Sequence, residues 1–171
     1  MKKCVFSLLV IIICCLAGCG YSAYKKYYNE TDDYNEIWNL TGFHHGYEDK
    51  SPLFPEKIDG LGVSEFHCRY DEQLPLGEGV QIFLKVNYDS DSFETELKRI
   101  SDVATENTTE FTNDEFSAYA VRLGDDGCYE YALTNKTEKT VCYIFIYGLP
   151  EKEIEIEKAF LPNNYIDYGD A

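Results

Sequence analysis

The sequence predicts an α+β domain: an antiparallel sheet of about five strands with helices mainly on one face, in the order α-β-β-α-β-β-β. Three observations lead there. Short segments carry apolar residues at every second position; two others carry them at helical spacing behind capping side chains; and turn chemistry separates them. With 171 residues, one continuous core can be buried without help from disulfides or metals.

Each element has its own local reason. Residues 20–31, GYSAYKKYYNET, have no core of their own, and Tyr21, Tyr24 and Tyr28 would line one side of a helical extension. DDYNEIWNLTG reads as a short helix, because Asp32 or Asp33 can cap it, Glu36 stands three after Asp33 and Gly42 supplies a stop. Its Tyr34, Ile37, Trp38 and Thr41 share a face. From Phe43 to Gly62, Gly46, Pro52, Pro55 and Gly60 give a long ordered loop. Phe66, Cys68 and Tyr70 then alternate with Glu65, His67 and Arg69, and Val80, Ile82, Leu84, Val86 and Tyr88 continue the period of two. These are two strands, joined across DEQLPLGEG by a wide hairpin loop. Ser90, Asp91 and Ser92 offer caps, with Glu94 three after Asp91, for a helix whose Phe93, Leu97, Ile100 and Ala104 cover the sheet.

Beyond the polar ENTTEFTND come three more strands, FSAYAVRL, CYEYALT and TVCYIFIYG, joined by turns at 124–127 and 135–139. The last is apolar on both faces, which predicts a central position covered on each side. The tail from Leu149 is ambiguous: Ile154 and Ile156 alternate as in a strand, while Pro150 and the Glu/Lys content suit a short helix, the reading preferred.

The first eighteen residues read as a removable leader. Lys2 and Lys3 form a positive start, and Cys4 to Ala17 is apolar except for Ser7. As a helix that run reaches roughly 21 Å, short of the ~30 Å hydrocarbon core of a bilayer. The next residues, Leu16, Ala17, Gly18 and Cys19, resemble the lipobox of bacterial lipoproteins, with an aliphatic residue three before a cysteine and small residues between. The resemblance covers only these first nineteen residues. It implies that Cys19 receives a diacylglyceryl group, that a lipoprotein signal peptidase cuts before it, and that two acyl chains hold the chain on a membrane. An uncleaved signal anchor, or a secretory peptide with a coincidental cysteine, is the alternative. The expected organisation is a signal peptide over 1–18, a lipidated tether over 19–31 and a single acidic domain over 32–171.

On that reading Cys4, Cys14 and Cys15 leave with the leader and Cys19 is acylated, so Cys68, Cys128 and Cys142 remain. At most one disulfide can form among them, by any of three pairings, and three reduced, buried thiols are an equal alternative. Loss of Lys2 and Lys3 takes the formal charge from −16 to −18. Such a charge repels phosphate backbones, so no nucleic-acid partner is expected; Lys25 and Lys26 alone break the pattern near the anchor.

No catalytic signature emerges from the remaining motifs. His44 and His45 lack the spacing of a metal-ligand set, and no cofactor or metal is expected. In a strand, His67 and Cys68 point to opposite faces, so the imidazole cannot serve the thiol. Asp89 and Asp91 begin like a calcium loop, but its sixth and twelfth positions hold Glu94 and Ile100. Helix capping accounts for the same acids. Tyr129, Tyr131, Tyr143 and Tyr147 share phases with Leu133 and Phe145, which suits a core, or an exposed aromatic face able to stack on sugars. The resemblance and these residues together imply a lipid-anchored lipoprotein of the bacterial cell envelope, its domain on the extracytoplasmic side. The expected role is a non-catalytic binding module for protein or cell-wall glycan; an inhibitor or assembly factor for another envelope protein is the alternative, and an envelope-polymer hydrolase a third reading.

Overall fold

The computed structural model describes residues 23–41, 51–73, 77–108, 111, 115–124, 127–163 and 165. It shows a mixed α+β fold built on one antiparallel sheet. In chain order the elements are β1 (Ala23–Tyr28), α1 (Tyr34–Thr41), β2 (Gly62–Gln73), β3 (Gly77–Asn87), α2 (Ser90–Val103), β4 (Glu106–Thr108), β5 (Ser117–Leu123), β6 (Cys128–Asn135) and β7 (Thr140–Tyr147). A 3₁₀ turn at Thr31–Asp33 leads into α1, and two more, Glu151–Glu153 and Lys158–Phe160, lie in the C-terminal segment.

The seven strands run in the order β1-β2-β3-β7-β6-β5-β4, every neighbouring pair antiparallel. Two meanders therefore meet at the β3–β7 seam. After β3 the chain crosses through α2 to the far edge at β4, then walks back until β7 closes on β3. The sheet thus has two strands more than the sequence predicts, and both are edges. Residues 23–28 are not a tether or a helical extension: Ala23 pairs with Gln73 and Tyr28 with Cys68, so the fold begins well before residue 32. Residues 106–108 of the polar connection pair with β5. The hairpin between β2 and β3 is also tighter than expected, since pairing runs out to Gln73 and Gly77.

Burial follows the alternation. On one face, Phe66, Cys68, Val80, Ile82, Leu84, Val86, Tyr143 and Phe145 pack beneath Tyr34, Ile37 and Trp38 of α1, Phe93 and Ile100 of α2, and Leu53, Phe54 and Ile58 of the loop between α1 and β2. On the other, Phe83, Tyr129, Tyr131, Leu133, Cys142, Ile144 and Ile146 pack under Leu149, Ile156 and Leu161. Both helices therefore cover one face, and an irregular strap, residues 149–163 with Tyr165, covers the second. The helix preferred after Pro150 is replaced by two single 3₁₀ turns with extended chain between them, which lets Ile156 and Leu161 reach the sheet where a helix would lift them away. Gly148, at φ +61°, makes the passage from β7 into the strap; a Cβ there would run into the Glu78 carbonyl. Covered on both sides, every residue of β6 is buried, and so is β7 up to its last residue.

Helix α2 is capped one residue earlier than the sequence suggests. Asp89 accepts from the Asp91 and Ser92 amides, both at 3.0 Å, and from the Ser92 hydroxyl at 2.8 Å. Its carboxyl is accordingly held below the usual carboxylate range, chiefly by the Ser92 bonds.

Candidate functional site

A groove of about 560 Å³ opens on the helix-covered face, lined by Asn35 of α1, Arg99 of α2, and Ser51, Pro52, Phe54, Glu56 and Lys57 of the intervening loop. Its floor is fixed by Arg99. The guanidinium donates to the Pro52 carbonyl at 2.7 Å and to the Leu53 carbonyl, while Glu96, one helical turn earlier, accepts from Nε at 2.9 Å and from Nη2 at 2.6 Å. A planar fork suits this task, since it satisfies a carboxylate and two backbone carbonyls at once. Tyr34 adds a bond to the Pro55 carbonyl at 2.6 Å. Chain 51–55 is thus tied to both helices.

Behind Arg99 a polar chain runs into the core. The Tyr143 hydroxyl donates to Glu96 at 2.6 Å, and Tyr88 lies 2.7 Å from Tyr143, which leaves Tyr88 as the donor in that pair. Burial pushes the phenols of Tyr34, Tyr88 and Tyr143 up, so they remain protonated donors. Ser51, at the groove wall, donates its hydroxyl to Glu130, a fully buried carboxylate of β6. A bulge in β5 between Ala120 and Arg122 sets Arg122 opposite Glu130 in register.

On the strap-covered face lies a second polar cluster. Arg69 and Asp71, alternate residues of β2, are buried together, with Arg69 Nε 2.9 Å from Asp71. The same guanidinium reaches the strap through the Glu153 carbonyl, the Glu153 carboxylate at 2.5 Å and Glu155 at 3.2 Å. Lys25 stands 3.1 Å from Glu153 and 3.6 Å from Asp71; Tyr27 donates to Glu155 at 3.1 Å, and the Glu155 amide donates to Gln81 at 2.8 Å. The phase of β2 that reads as solvent-facing is therefore the strap's anchor row.

The candidates singled out from sequence are placed as follows. Leu16, Ala17, Gly18 and Cys19, with His44 and His45, lie outside the described residues. His67 and Cys68 do diverge: the imidazole stacks on Phe83 at 5.2 Å and 17°, while the thiol sits in the helix-side core. Cys68, Cys128 and Cys142 are free and buried, so the disulfide left open is not formed. Geometry explains it. Cys68 and Cys128 are three strands apart, roughly 14 Å, against the ~7 Å limit between bridged Cα atoms, and Cys142 points to the opposite face. Burial pushes the Cys68 and Cys142 thiols up to about 12, which keeps them un-ionised and unreactive. Tyr129, Tyr131 and Tyr143 are fully buried and Tyr147 is partly so, packed against the helix-side core, which leaves no continuous aromatic face on these strands for sugar stacking.

Sequence reasoning missed Arg99 and Arg69 as organising residues. Beside a local carboxylate each, their other partners lie 46 to 86 positions away, and no local pattern encodes such a meeting. Among the described residues no group of three metal-ligating side chains converges, and no helix is long and apolar enough to cross a membrane. No protein-family model, curated protein or solved structure matches the chain.

Proposed function

We propose that the chain is a bacterial envelope lipoprotein, anchored through lipid on Cys19, whose acidic domain is a non-catalytic module that binds a protein partner. The observation that carries the anchor is the order of its first nineteen residues: basic start, apolar run, then Leu16-Ala17-Gly18-Cys19. Two supports favour a protein over a glycan. The tyrosines that would stack on sugars are inside, and a formal charge of −16 favours steering toward a basic surface. Arg99 and Glu96 hold each other and the loop backbone, and Ser51 is held by Glu130, so the groove is a preset shape more than a set of unpartnered reactive groups.

Two experiments test this reading. Radiolabelled fatty acid should enter the wild-type protein in its own cells and not the Cys19→Ala variant, which should accumulate as the uncleaved precursor. Equal labelling of both would overturn the anchor. Crosslinking of the lipidated protein in cells should then recover a protein partner whose yield falls as salt rises, because screening weakens a charge-steered complex. Recovery of glycan, indifferent to salt, would overturn the preference for protein.

A further inference from the structure

We propose that the β1 edge of the sheet is the membrane-facing surface of the domain, packed against phospholipid headgroups, with the β4 edge pointing away. The proposal rests on lipidation of Cys19 and adds an orientation to it. Cys19 and Ala23 are four residues apart, a span of roughly 14 Å even when fully extended. Ala23 is already paired with Gln73, so the lipid is attached to the sheet almost directly, through its outermost strand.

The composition of that edge agrees. Residues 20–29 carry Lys25 and Lys26 and no acid, in a chain with 31 acidic residues. The ammonium-bearing side chains are 41% and 42% exposed, and Tyr27, at 49%, is the large hydrophobic residue left exposed among the described residues. A half-exposed tyrosine beside two lysines suits a headgroup layer, where its ring meets apolar surface while its hydroxyl is held by Glu155. The carboxylates close by are Asp71 and Glu153 beside Lys25, Glu36 at 4.0 Å from Lys26, and Glu155 beside Tyr27. Against Lys25, Lys26 and Arg69 these four carboxylates leave one net negative charge, a small part of the −16 of the whole chain, so this edge meets an anionic leaflet with less repulsion than the acidic remainder, and the short link fixes its position. A bilayer on that side also covers the outer edge of β1, the end strand of the sheet among the described residues, which would otherwise be open to pairing with another chain.

The test uses the full-length lipidated protein in phospholipid vesicles bearing a nitroxide quencher on the headgroups. A fluorophore is placed at Asn29→Cys, just beyond β1, or at Ser117→Cys, at the start of β5; both positions are exposed and five strand spacings, about 24 Å, apart. The native thiols do not interfere, because Cys68, Cys128 and Cys142 are buried and Cys19 is acylated. Quenching is expected to be several-fold stronger at position 29 than at 117. Equal or reversed quenching, with the diacylglyceryl group on Cys19 confirmed by mass spectrometry, would overturn the orientation alone. An unmodified Cys19 would overturn the anchor and the orientation together.

Discussion

The two faces of the sheet are closed by the same device at different depths. On the helix-covered face Arg99, its side chain 35% exposed, ties α2 to chain 51–55; on the strap-covered face Arg69, 3% exposed, ties β2 to residues 153–155. Both guanidiniums join a local carboxylate to backbone carbonyl groups distant in sequence. The difference lies in what backs them. Helices α1 and α2 bring their own hydrogen bonds and an apolar stripe, so Arg99 fastens a cover that already packs. The strap has no regular element longer than a 3₁₀ turn, and beyond its apolar contacts only scattered hydrogen bonds hold it, so more of its position depends on Arg69.

Removing Arg69 is therefore expected to have the largest effect. Arg69→Ala leaves the buried Asp71 without its hydrogen-bonded cation, with only Lys25 at 3.6 Å, and frees the strap, and should cost about 3–5 kcal/mol in urea unfolding. The paired variant Arg69→Met, Asp71→Leu should recover most of that loss, since no buried charge is then orphaned. A double variant no better than the single one would mean that the strap contacts to Glu153 and Glu155 matter more than the buried pair.

Arg99→Ala should cost less, about 2–3 kcal/mol, because charge-assisted bonds are lost from a site that water can partly refill. Arg99→Lys should not restore it, as an ammonium cannot span Glu96 and two carbonyls together. Protease cleavage within chain 51–55 should rise in both variants; a loss equal to that of Arg69→Ala would erase the distinction between the two covers.

What was legible in the sequence divides along the same lines. Central strands announce themselves, because β3, β6 and β7 must satisfy neighbours on both sides and apolar cover on at least one face, and their side chains carry that record. The edges do not. In β1 the doublets Lys25-Lys26 and Tyr27-Tyr28 place the same residue type on both faces, so the period of two vanishes, although Tyr28 is buried and Tyr27 is not. β4 is three residues long, too short for any pattern. The strap's Ile154 and Ile156 do alternate, yet no strand pairs with them; the Glu155 amide between them finds the Gln81 side chain, a long-range partner that local reading cannot supply. The proposed lipobox is legible for the opposite reason, since a peptidase would read it as a linear string.

The buried thiols sharpen the comparison with one substitution on each face. Cys68→Ser and Cys142→Ser should each cost roughly 1–2 kcal/mol, because a hydroxyl enters an apolar site without an assured partner. Neither native thiol should react with an aromatic disulfide reagent until the protein unfolds. Fast reaction at Cys142 alone would show that the strap opens readily while the helix cover stays shut, and would move Arg69 from fastening a closed lid to restraining a mobile one.

The smallest expected effect is a dependence on pH at His67. Burial, with the ring stacked on Phe83, lowers its basicity below the usual value near 6.5, while Glu65 at 3.9 Å and Glu155 pull the other way. The folded chain therefore takes up this proton at lower pH than the unfolded chain does. Between the two values the unfolded state binds more protons, so stability from His67 is complete above about pH 6.5 and is lost as pH falls through the lowered value. Reduced self-repulsion in an acidic chain acts in the opposite sense over the same range. The informative quantity is then the difference between wild type and His67→Gln. Wild type should lose stability relative to the variant as pH falls below about 6.5, by well under the effect of Arg99→Ala, and level off below the lowered value. Parallel curves would mean that the ring is as hydrated as in the unfolded chain, with Phe83 screened by Phe160 of the strap and not by the imidazole.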